Sequence, residues 1–173
     1  TSAITVCCAT DGNHGRSVAW GAQRFGARCV IYLHEHVSPG REAAIARYGA
    51  EVRRVPGTYD DSVRQAALDA AEGWFVISDP SYPGYLSVPR DVMQGYTVMV
   101  DEAVGQLREP PTHCLVQGGV GGLAAAVLAR LHLAYGAAMP RFIVVEPGRA
   151  ACLFESARAG EPTVVHGDLD TVM

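Results

Sequence analysis

Two glycine-bearing stretches concentrate the residue types that hold small anions. Gln117-Gly118-Gly119-Val120-Gly121-Gly122-Leu123 sets four glycines between an apolar run and an alanine-rich one. At such a strand-to-helix turn, free backbone N–H groups and the positive end of the helix dipole both favour a phosphate, and the missing Cβ lets the backbone come close to it. Thr10-Asp11-Gly12-Asn13-His14-Gly15 has a different chemistry. A hydroxyl, free N–H groups and an amide that both donates and accepts converge there, which suits a carboxylate. A ligand carrying both groups would lie between the modules that bear the two loops.

Two acids accompany these loops, Asp11 inside the first and Asp79 ahead of Pro80. Each also has a plain structural explanation: Asp11 as a helix N-cap, Asp79 as a turn former. The stretch Gly119-Val120-Gly121-Gly122-Leu123-Ala124 satisfies the dinucleotide fingerprint as well, with Glu146 placed where a ribose-binding acid would sit. That alternative predicts a nicotinamide oxidoreductase and leaves the first loop without a role. His34 and His36 flank Glu35 at a strand end, but nothing nearby completes a ligand set, so they read as solvated loop residues and no metal site is expected.

The elements that must position these residues are short β-branched runs alternating with helical patterns, the signature of an α/β fold with parallel sheets flanked by helices. Strands are expected over 3–8, 28–33, 51–55, 74–77, 112–116 and 141–145. Helices are expected over 39–48, 60–72, 91–107, 121–135 and 149–159, with another after the first loop. Pro80, Pro83, Gly84 and Pro89 interrupt regular structure, which divides the chain into 1–88 and 89–173. The chain has 173 residues, 49% of them hydrophobic and 18% charged, enough to bury a core. A net charge of -4 leaves no basic footprint for nucleic acid or an anionic membrane, so a small-molecule partner is expected. Five cysteines in apolar contexts, with no metal or redox spacing, suit a reducing cytosol.

The order and spacing of several motifs resemble the tryptophan-synthase-like, fold type II pyridoxal phosphate enzymes, and among them the ammonia-lyase branch. The first loop is similar to that family's asparagine loop and Gln117 to Gly122 to its phosphate loop. Asp79-Pro80-Ser81-Tyr82-Pro83-Gly84-Tyr85, Val92-Met93-Gln94-Gly95-Tyr96 and Val144-Val145-Glu146-Pro147 match later stretches. The resemblance implies pyridoxal 5'-phosphate as cofactor and an α,β-elimination that converts 2,3-diaminopropionate to pyruvate and ammonia. It implies Asn13 on the cofactor's ring oxygen and Gly118, Gly119, Val120, Gly121 and Gly122 around its phosphate. Thr10, Asp11 and His14 would meet an amino-acid substrate, and Asp11 and Asp79 would be the catalytic acids. It further implies a cytoplasmic homodimer.

A serine or threonine dehydratase-like lyase and a lysine-less binding module are the alternatives. All 14 cationic residues are arginine. The family's cofactor-bonding lysine lies upstream of the asparagine loop, and its downstream half would follow 167–173. The expectation is therefore a fragment lacking both segments and inactive by itself.

Overall fold

The computed structural model of the chain describes residues 4–71 and 73–165. Ala3, Glu72 and 167–173, which figure in the sequence expectations, lie outside the described residues. The chain is α/β and divides into two compact units, Thr1–Ser78 and Asp79–Met173.

The first unit runs β1 (Thr5–Ala9), α1 (Asn13–Phe25), β2 (Arg28–His34), α2 (Pro39–Ala46), β3 (Glu51–Val55), α3 (Tyr59–Ala70) and β4 (Phe75–Val76). Its sheet has the order β3-β2-β1-β4, with every pairing parallel. Both faces are covered, which is why β2 is apolar without a break from Cys29 to Leu33. Cys8, Cys29, Ile31 and Leu33 pack on Ala19 and Ala22 of α1 and Ile45 of α2. Cys7, Ala9, Val30 and Tyr32 face Ala66 of α3.

Register places the first loop. Ala9 pairs with Tyr32, and Thr10 N–H donates to the Tyr32 carbonyl at 3.1 Å, so β1 and β2 end side by side. Residues 10–15 and 33–36 therefore meet at the carboxyl edge of the sheet, where open α/β sheets bind ligands. At the opposite face the Tyr32 hydroxyl donates to Asp69, which also accepts from Arg53 Nη1 at 2.6 Å. Burial and the bond to Asp69 push the Tyr32 phenol up. α3 starts with a capping box, in which Asp61 accepts from the Thr58 N–H at 2.7 Å and draws its own carboxyl down to about 2.

The second unit contains α4 (Ser87–Gln106), β5 (His113–Gln117), α5 (Gly122–Tyr135), a 3-10 turn (Gly136–Ala138), β6 (Arg141–Val145) and α6 (Cys152–Ala159). β5 and β6 pair in parallel. Val116 meets Val100 of α4 and Ala124, Val127 and Leu131 of α5 in the core. α4 begins earlier than the 91–107 expected because Pro89 sits in its first turn, where a missing N–H and a fixed φ cost nothing. The proline-rich stretch thus belongs to the second unit, and the division falls at Ser78/Asp79 rather than at 88/89. No helix among the described residues is long and apolar enough to cross a membrane.

The packing of α1 on β1 depends on Gly15, where a Cβ would stand 2.3 Å from Thr10 Cγ2 and 3.1 Å from Ile31 Cγ2. Gly15→Ala is expected to destabilise the fold by about 1–3 kcal/mol through overpacking. Thermal denaturation of the variant beside the parent measures it.

Candidate active site

The first loop is tied by a single hydroxyl. Thr10 is buried, and its Oγ1 accepts from Gly12 N–H at 3.0 Å and Gly15 N–H at 3.1 Å. The threonine expected at the substrate therefore faces inward and shapes the turn. His14 Nε2–H donates to the Ile77 carbonyl at 2.7 Å, anchoring the start of α1 to the residue after β4. Asn13, the first residue of α1, is exposed and lines an open concavity with Arg16, Ser17, Trp20 and Tyr48.

Asp11 is held from two sides. Arg41 of α2 donates from Nη1 to its carbonyl at 3.1 Å, and His34 Nε2 stands 3.0 Å from its Oδ1 in an ion-pair contact without hydrogen-bond alignment. Oδ1 is screened from solvent, whereas the Asp11 side chain as a whole is 44% exposed. Nothing at Asp11 caps α1, whose N-cap is Gly12 with no side-chain cap bond. His34, read from the sequence as a solvated loop residue, is brought to Asp11 by the parallel register of β1 and β2. Among the described residues, no group of three or more His, Cys, Asp and Glu could hold a metal ion.

In the second unit the glycine loop is braced from behind. Gly118 N–H donates to the Val145 carbonyl at 2.8 Å, and the first backbone bond of α5 comes only at Ala125, which donates to Gly121 at 2.9 Å. The amides between them have no partner within the helix, and the α5 dipole points its positive end at them. A Cβ at Gly118 would collide with Val144 at 2.7 Å, Leu153 at 2.9 Å and Glu146 at 3.0 Å, and Gly121 takes φ +92. These positions require glycine. Cys152 Sγ–H donates to the Gly119 carbonyl at 3.0 Å, with burial and then Glu146 pushing the thiol up.

Glu146 is the residue whose part the dinucleotide motif misstates. Its Oε1 accepts from Leu153 N–H at 2.9 Å and its Oε2 from Phe154 N–H at 2.8 Å, so both oxygens cap α6. A carboxylate so engaged is not presented to a ribose. A strand-end acid serves equally well for a ribose or for a helix start, which is why the motif did not separate them. Asp79 lies beside this loop as well. Its carbonyl is 3.9 Å from where a Cβ on Gly122 would stand, and its charge acts with burial, the larger cause, to push the Tyr96 phenol up.

The family profile described as pyridoxal-phosphate dependent enzyme matches residues 1–173. Diaminopropionate ammonia-lyase of Escherichia coli (strain K12) is 42% identical over 174 residues, covering 98% of this chain and 44% of that protein. The enzyme of that name from Salmonella typhimurium is 40% identical over 172 residues, covering 95% and 43%. A crystal structure of holo diaminopropionate ammonia lyase from Escherichia coli superposes with a TM-score of 0.90 at 39% identity, covering 98% of this chain and 45% of that one. The chain thus spans about half the length of the curated relatives it matches.

Removing the α6 cap tests how the glycine loop is supported. Glu146→Ala is expected to cost about 1 kcal/mol, the usual worth of a helix cap. Chemical denaturation measures the loss, and an unchanged midpoint would count against the brace.

Proposed function

Because the chain belongs to the pyridoxal-phosphate dependent enzyme family, we propose that the full-length protein converts 2,3-diaminopropionate to pyruvate and ammonia by α,β-elimination. The observation that carries the reading is Asp11, an acid in the turn between β1 and α1 whose Oδ1 is screened from solvent beside His34 while its side chain remains 44% exposed. A carboxylate there attracts a substrate with a second ammonium group. A serine or threonine side chain gives it no such partner.

The glycine loop fits the cofactor's phosphate: its amides that have no partner within the helix and the α5 dipole supply the attraction, and the spaces at Gly118 and Gly121 leave no room for a Cβ. Gly118, Gly119, Val120, Gly121 and Gly122 hold that phosphate, and the Asn13 amide donates to the ring oxygen. Pyridoxal phosphate, when bound, supplies an electron sink for the charge left at the substrate Cα. Asp11 Oδ2 removes the Cα proton of the D isomer, and Asp79 gives a proton to the amine leaving Cβ. The amides of the first loop receive the substrate carboxylate, in a turn kept in shape by Thr10 and His14. The reading includes a cytosolic setting, supported by five cysteines in apolar contexts with no metal or redox spacing, and a homodimeric enzyme, as the family resemblance implies.

Purified full-length protein loaded with pyridoxal phosphate is expected to form pyruvate from both isomers, followed with a coupled lactate dehydrogenase assay. Asp11→Asn should lower turnover of the D isomer by roughly 10²–10⁴-fold, the span of general acid–base catalysis, and spare the L isomer more. No pyruvate from either isomer would overturn the assignment.

A further inference from the structure

We propose that His34 is the positioning residue of Asp11, holding its Oδ1 so that Oδ2 works as the proton acceptor; this rests on the proposed acid–base reading of Asp11. The juxtaposition follows from backbone register. β1 and β2 pair in parallel up to Ala9 and Tyr32, so that Asp11 and His34, each two residues beyond the last paired residue, come together. His34 Nε2 lies 3.0 Å from Asp11 Oδ1.

The other ring nitrogen sets the tautomer. His36 N–H donates to His34 Nδ1 at 3.3 Å, so Nδ1 carries a lone pair and, in the neutral ring, Nε2 carries the hydrogen that faces Asp11. A modest turn of the imidazole aligns that hydrogen with Oδ1, an oxygen screened from solvent that has no other hydrogen-bond partner among the described residues. A screened carboxylate oxygen left alone is costly, and a neutral N–H donor relieves the cost without drawing off as much basicity as a full cation would.

The other charged groups of this corner are Glu35 and His36, 3.9 Å apart, Arg41 on the Asp11 carbonyl, and Arg54 of β3, whose Nη1 holds the Glu35 carbonyl at 2.9 Å and whose Nη2 pairs with Glu42 at 2.7 Å.

The test compares His34→Leu, His34→Gln and Asp11→Asn in the complete holoenzyme. With the D isomer, His34→Leu should lower kcat by about tenfold, short of the ~100-fold that a one-ångström misplacement can cost, with KM little changed. His34→Gln, which keeps an N–H donor, should recover most of the rate. Independently of turnover, side-chain 1H–15N NMR should show the Nε2–H tautomer of His34, and Asp11→Asn should shift the Nε2–H resonance. A kcat that His34→Leu leaves unchanged, or an Nε2–H resonance that Asp11→Asn leaves unmoved, overturns the proposal while Asp11 keeps its role. Full activity of Asp11→Asn on both isomers overturns the reading of Asp11 itself, and the positioning proposal with it.

Discussion

The first unit depends on one buried hydroxyl. Thr10 Oγ1 receives two N–H groups that the chain exposes as it turns from β1 into α1, while the Thr10 N–H prolongs the ladder to Tyr32. A buried amide without an acceptor costs on the order of 1–3 kcal/mol, so the turn is far more favourable with this oxygen than without it. Gly15 is the complement. It lets α1 come down on Thr10 and Ile31, and with it the corner at which Asp11, Asn13 and His14 project. Arg41 and the His14 bond to Ile77 then hold the rim from α2 and from the end of β4. Residues with three separate roles thus take their positions from one packing contact.

Much of this arrangement is legible in the amino-acid order. The unbroken apolar run of β2 announces a strand buried on both faces, and the glycines at 118–122 announce the tight turn between β5 and α5. Boundaries are less legible. Pro89 suggests a break, yet a proline is equally at home in a first helical turn, and only the packing of α4 in the second unit's core resolves the two. The Asp11–His34 contact is harder still, since it depends on which residues of two strands stand opposite each other.

The two acids show how one residue type acquires opposite meanings. Glu146 has both oxygens committed to α6 and acts as a fastener for the loop in front of it. Asp11 Oδ1 is screened from solvent and accepts no hydrogen bond among the described residues, and the side chain is 44% exposed. A carboxylate bonded at both oxygens is structural, whereas one without such bonds remains able to accept a proton. Hydrogen-bond accounting separates them where composition and motif do not.

The fastening of the glycine loop has a thermodynamic corollary. Gly118 is bonded to β6, Glu146 ties β6 to α6, and Leu153 of α6 fills the space behind Gly118 and Gly121. The amides ahead of α5 are already oriented before any anion arrives. Little chain ordering is left to oppose association, so the heat released on binding would be offset chiefly by the ligand's own lost motion and by displaced water, and not by a loop folding around it.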